Sequence, residues 1–157
     1  MKVEKDYEDL LKLFNKHKVK YCIVGAFAVA FYARPRYTKD IDILIEPSQE
    51  NSNKIAKALN DFGFGSLDLK PGDFTKKNRI IQLGYEPVRI DIMTSLTGCS
   101  FDRIWRHKKV GRYGRTKVFF IGINELIENK KKSDRRQDKI DLNLLLKVKK
   151  VQRVSKI

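Results

Sequence analysis

An apolar run at residues 21–33, YCIVGAFAVAFYA, changes character at its single glycine. YCIVG at 21–25 reads as a short strand ending in Gly25. The Ala-rich GAFAVAFYA at 25–33 is apolar all round and reads as a buried helix that stops before Arg34-Pro35. The rest of the chain keeps interleaving the two element types. Residues 4–17 space Tyr7, Leu10, Leu11 and Phe14 as an amphipathic first helix. DIDILIEP at 40–47 is a strand closed by proline, and Ser48 caps a helix that runs through Leu59 and stops at Phe62-Gly63. NRIIQL at 78–83 and VRIDIMT from 88 are paired strands joined by GYEP. A short helix over 101–108, a GRYGR turn, the strand TKVFFIG at 116–122 and two basic helices complete the chain, with fraying expected after Lys150. The class is α/β (α+β), a mixed β-sheet flanked by helices, with C-terminal helices.

At 157 residues and 41% hydrophobic content the chain can bury one ordinary core, so residues 1–157 are expected to form a single domain with a basic helical segment over about 123–157. No apolar run is long enough for a bilayer, and MKVEKDYEDL has no apolar core of a leader, so a soluble, unprocessed cytoplasmic protein without a membrane partner is expected. Cys22 and Cys99 make neither a disulfide framework nor a zinc site and read as plain thiols. The formal charge of +15 is beyond what solubility needs and points to a polyanionic partner or substrate. Residues 130–157 hold 11 Lys or Arg against three Asp, a net of +8, so the excess is concentrated.

Side chains alternate across a strand, so Asp40 and Asp42 project from one face while Ile41 and Ile43 enter the core. Their Cα atoms are expected about 6.6–6.8 Å apart, within reach of a shared ion. RIDIM at 89–93 repeats the pattern, with Asp91 bracketed by Ile90 and Ile92. Carboxylates gathered this way repel and tend to hold protons unless a hard divalent cation joins them. Three can hold two metals about 3.5–4 Å apart. On spacing alone an exposed edge strand is the favoured explanation of DID, with Asp91 paired to Arg89 or a lysine. Asp is depleted in strands, however, and the upstream context adds to the case. Gly25 opens a helix whose free N–H groups can hold a phosphate, and Arg36, Thr38 and Lys39 add donors just before the acids.

With these motifs the chain resembles the nucleotidyltransferase superfamily: a glycine turn opening a helix, a strand with two acids, and a third acid on a later strand. More closely it is similar to minimal bacterial nucleotidyltransferases related to the AbiEii toxins and MNT-type proteins, through IVGAFAVAFYARPRYTKDIDILIEPSQEN, VRIDIMTSLTG and LIENKKKSDRRQDKIDL. The resemblance implies a nucleotidyltransferase fold and transfer of a nucleoside monophosphate from a nucleoside triphosphate to an acceptor hydroxyl, with release of pyrophosphate. The acceptor would be an RNA end, a protein or a small molecule. Asp40 and Asp42 would bind both metals, and Asp91 would bind one and help deprotonate the acceptor. Gly25, Ala26, Arg36 and Thr38 would lie near the triphosphate, and Lys130 would neutralise the leaving pyrophosphate, with Arg135 and Asp138 nearby.

Mg²⁺ or Mn²⁺ is the cofactor these carboxylates suit. Two positions depart from the family pattern: Ala26 stands where a second glycine or serine is usual, and Tyr32-Ala33 replaces a His-Gly pair. The competing reading is a weak or inactive member serving as a toxin–antitoxin component or nucleic-acid-binding module. RNA such as tRNA is the partner expected for Lys147, Lys149, Lys150 and Arg153. Loss of Lys130 is expected to leave the fold undisturbed. His17, His107, Phe101 and Trp105 are read as structural or peripheral.

Overall fold

A computed structural model describes residues 3–34, 38, 40–64, 69–85 and 88–155. Six strands form one mixed sheet in the order β3-β4-β2-β1-β6-β5. They are β1 (Tyr21–Val24), β2 (Asp40–Ile45), β3 (Ile80–Tyr85), β4 (Val88–Met93), β5 (Lys109–Tyr113) and β6 (Thr116–Phe120). The helices are α1 (Lys5–Lys16), α2 (Gly25–Tyr32), α3 (Gln49–Leu59), α4 (Phe101–Arg106), α5 (Ile123–Lys131) and α6 (Arg136–Ser155). β2 runs antiparallel to β1 and parallel to β4, while β1 runs parallel to β6. The hairpins β3–β4 and β5–β6 supply both edges.

Apolar periodicity explains where the helices sit. Tyr7, Leu10, Leu11 and Phe14 are the buried residues of α1, which packs on β4 and β6 and against α3. α2 is less covered than its apolar sequence predicts: Phe27, Ala28 and Val29 are buried and Phe31 is exposed, where the helix lies on β1 and β2 and meets α6, which packs on α5. The Ser48 hydroxyl accepts from Asn51 N–H at 3.1 Å and caps α3. Past its end the chain turns through Gly63, whose φ of +106° marks the stop. No helix among the described residues is long and apolar enough to cross a membrane.

Several boundaries differ from the sequence expectation. Gly111, Arg112 and Tyr113 of GRYGR belong to β5, and only Gly114 and Arg115 make the turn. Gly114 has φ of +61°, the left-handed value that a tight hairpin accepts readily from glycine. α6 continues past Lys150 to Ser155. A short 3₁₀ turn over Pro71–Phe74, which buries Phe74, is an unforeseen addition. Cys22 is buried and Cys99 half-buried, both free, and burial pushes the Cys22 thiol up to about 12.

The residues discounted in sequence do structural work. The His17 ring nitrogen lies 2.8 Å from Asp61 and ties α1 to the segment after α3. His107 and Arg103, at 3.1 and 3.3 Å, both meet the buried carboxylate of Glu125, linking α4 to α5. Phe101 and Trp105 stack at 6.0 Å.

Candidate functional site

Register brings the acids together. Val24 of β1 stands opposite Asp42 of β2, and Asp42 opposite Asp91 of β4, so one row of residues crosses three strands. One step along the same face Asp40 stands opposite Arg89. Ile41 and Ile43, fully buried, take the other face, as the alternation requires.

Gly25 follows this row directly and opens α2 at φ of +66°. A Cβ built there would overlap Asp42 Oδ2 and stand 3.1 Å from Asp42 Cγ. Glycine is thus required twice, for the backbone conformation and for the space the carboxylate occupies. Val24 gives no side-chain cap to α2, and the first turn holds no acid. The N–H groups of Gly25 and Ala26 therefore face no carboxylate competitor from their own helix, which is the condition for binding an anion there.

A cavity of about 800 Å³ brings together Gly25, Ala26, Thr38, Asp40, Asp42, Asp91 and, from the α5–α6 junction, Lys130, Arg135 and Asp138. Thr38 donates its hydroxyl to the Asp40 carbonyl at 3.2 Å. Arg36 and Lys39 lie outside the described residues. Arg79, Arg89, Lys132 and Ser133 also line the cavity and were not among the residues expected there. The signal for Arg89 was in the sequence, since it alternates with Asp91 and must share its face.

Arg89 is a cation in contact with Asp40 and Asp91. Its Nη2 donates to Asp40 Oδ2 at 2.7 Å and to Asp91 Oδ2 at 3.1 Å, and Nε donates to Asp91 Oδ1 at 3.2 Å. The pairing weighed as an alternative to metal binding is thus present, yet within a cavity and spanning two acids rather than on an exposed edge. Asp42 is the acid least at ease as a carboxylate. Burial, then the neighbouring charges of Asp91 and Asp40, push it up to about 6 against the opposing influence of Lys130 and Arg89. Among the described residues no three His, Cys, Asp or Glu side chains gather closely enough to hold an ion as they stand. The carboxylates of Asp40 and Asp91 are turned onto the guanidinium instead.

Lys130 is not a surface lysine: it is 6% exposed. Its Nζ donates to Asp138 Oδ1 at 2.7 Å and lies 3.3 Å from Asp141 Oδ2, with Asp141 fully buried. Ser133 donates to the other Asp138 oxygen at 2.6 Å. Burial alone would raise the Asp138 carboxyl, but the hydrogen bonds from Lys130 and Ser133 and the charges of Lys130 and Arg135 outweigh it and hold the group below its ordinary value. An ammonium has three N–H donors, so these two acids leave one to serve the cavity.

Acids in register on adjacent strands thus lie beside an uncapped helix start and a buried lysine. Residues 7–116 match the profile of the aminoglycoside-2''-adenylyltransferase family, and the chain belongs to that family. It is an enzyme of nucleotidyl transfer to an acceptor. Comparison with curated protein sequences gives no match. Among solved structures the fold is similar to the lincosamide antibiotic adenylyltransferase LnuA in its lincomycin-bound crystal structure, with TM-score 0.58 and 18% identity over 92% of this chain and 97% of that one. It is also similar to an antigenic nucleotidyltransferase-like protein from Paracoccidioides brasiliensis, with TM-score 0.54 and 11% identity over 93% of this chain and 77% of that one. Lys130 and its acids lie beyond the family-matched stretch.

Two predictions follow the charges. The folded Asp42 carboxyl titrates near 6, above the ordinary value, so its neutral form favours the metal-free fold fully below about pH 4, and that contribution is lost as pH rises through about 6. Asp42→Asn fixes the neutral state. In chelator it should match the parent's melting temperature at pH 4 and exceed it by roughly 2–8 °C at pH 8. A difference independent of pH contradicts this. Lys130→Ala strands two acids, one of them fully buried, and should cost about 3 kcal/mol in urea unfolding. A loss under about 1 kcal/mol would show that the buried ion pairs contribute little to stability.

Proposed function

We propose that this protein moves a nucleoside monophosphate from a nucleoside triphosphate to an acceptor hydroxyl, using Mg²⁺ or Mn²⁺ held by Asp40, Asp42 and Asp91. The observation that carries the reading is the register of Asp42 against Asp91 directly beside the Gly25 cradle. The donor set fits the ion: all candidate ligands are hard carboxylate oxygens, and Asp42 is held back from ionising by burial and by the other two acids, a cost that a cation removes. Bound there, the ions supply charge neutralisation on the α-phosphate and on the entering and leaving oxygens.

The chain's own residues perform the rest. The N–H groups of Gly25 and Ala26, with the hydroxyl of Thr38, hold the triphosphate along the start of α2. Arg36 belongs to the same group of phosphate ligands. Asp91 takes the acceptor proton as the acceptor oxygen bonds to the α-phosphorus and the bond to the bridging pyrophosphate oxygen breaks. Lys130 offers its remaining N–H to the departing pyrophosphate, while Asp138 and Asp141 fix its position. Positioning and preset charge supply most of the catalysis.

Family membership and the likeness to a lincosamide antibiotic adenylyltransferase favour ATP as donor and a small-molecule hydroxyl as acceptor. A second reading takes a polyanionic acceptor such as tRNA, or a protein partner as in the AbiEii and MNT-type toxin–antitoxin systems. It draws on Lys147, Lys150 and Arg153, which α6 exposes to solvent. Incubating each nucleoside triphosphate and Mg²⁺ or Mn²⁺ with aminoglycosides, lincosamides, total RNA and candidate proteins separates these acceptors by mass spectrometry and pyrophosphate release. The expected result is a nucleotidylated small molecule. Asp91→Asn should lower that rate at least about 1,000-fold, some 4 kcal/mol. Wild-type turnover by Asp91→Asn would overturn the triad, and exclusive labelling of RNA or protein would overturn the small-molecule acceptor.

A further inference from the structure

Arg89 sits where the metal reading needs space. It stands two residues before Asp91 on β4 and opposite Asp40 on β2, so register alone delivers its side chain to both acids. Its guanidinium then contacts both oxygens of Asp91 and one of Asp40, at 2.7–3.2 Å. The ion pairs formed by the described residues thus engage Asp40 and Asp91 through one cation. The backbone beneath is fixed: the Tyr7 hydroxyl donates to the Arg89 carbonyl at 3.0 Å and accepts from the Arg89 N–H at 3.2 Å. Movement is therefore left to the side chain, which lines the cavity and is 27% exposed.

We propose that Arg89 is an internal counter-ion that competes with divalent metal for Asp40 and Asp91, so that metal loads effectively only together with a nucleoside triphosphate. This rests on the metal reading of the site given above. A free cation entering alone must detach a three-contact guanidinium and strand it, a poor exchange in a partly buried site. A triphosphate changes the balance, because phosphate oxygens give the displaced guanidinium an equally good bidentate partner in the same cavity. Metal and nucleotide then assist each other's binding by the same factor. The benefit to the enzyme is that Asp40 and Asp91 keep a cationic partner when no substrate is present.

Mn²⁺ binding to the full-length protein, followed by electron paramagnetic resonance, tests this with Arg89→Gln, Arg89→Lys and the parent. Each is titrated with and without the α,β-methylene analogue of ATP, after correction for Mn²⁺ held by the analogue alone. The parent should bind Mn²⁺ at least tenfold tighter with the analogue than without. Arg89→Gln should bind Mn²⁺ at least tenfold tighter than the parent in the absence of analogue, and gain less when it is added. Arg89→Lys keeps a cation but loses the fork, and should fall between them; it decides the matter if the Gln variant does not fold. Analogue-free affinities in the variants that equal or fall below the parent's overturn the role of Arg89. Absence of Mn²⁺ binding by all three proteins with analogue present overturns the metal site, and the inference with it.

Discussion

The parallel register of β2 with β4 sets Asp42 directly against Asp91, and like charges placed opposite each other across a sheet are costly. The surroundings answer that cost in three ways. Arg89 bridges Asp91 and Asp40 and offsets one of their two charges. Asp42 is pushed toward its neutral form. Lys130, buried at the α5–α6 junction, eases the charge on Asp42 while being held by two acids of its own. The site is thus a set of acids that, among the described residues, outnumber the cations in contact with them, an excess that a metal–triphosphate complex would rearrange.

Support for this face comes from well away from the cavity. Tyr7 packs edge-on to Phe27 at 5.9 Å, and Tyr113 lies against both. Through its hydroxyl Tyr7 grips the backbone of Arg89, so the first helix helps to place the residue that bridges the acids. Gly25 completes the arrangement by leaving room for the Asp42 carboxylate where any other residue would place a carbon.

Features governed by local period were legible in the sequence. Alternation in DIDILI and RIDIM gave the shared face of the acids, and the strand-to-helix change at Gly25 gave the helix start beside them. What depended on packing was harder to read. Lys130 was singled out by resemblance, but its burial and its two acid partners were not legible, because nothing local says that α5 packs on α6. Asp141 on the same stripe as Leu142 and Leu145 was the available sign, since an acid on a buried helix face demands a cation. Arg89 was visible as a partner for Asp91, but its reach to Asp40 required the strand pairing. GRYGR hid a strand because its glycines mask the alternation of Val110, Arg112 and the buried Tyr113 around a tight Gly114 turn.

In the proposed mechanism the carboxylate row and the start of α2 together form one nucleotide site. The most direct test is a crystal structure of the protein with Mn²⁺ and the α,β-methylene analogue of ATP, using anomalous scattering to locate the metal. The expected structure has Mn²⁺ coordinated by Asp42 with Asp40 or Asp91, the triphosphate against the N–H groups of Gly25 and Ala26, and Arg89 withdrawn from the acids. Nucleotide bound elsewhere, or bound with no anomalous peak at these three carboxylates, would contradict it.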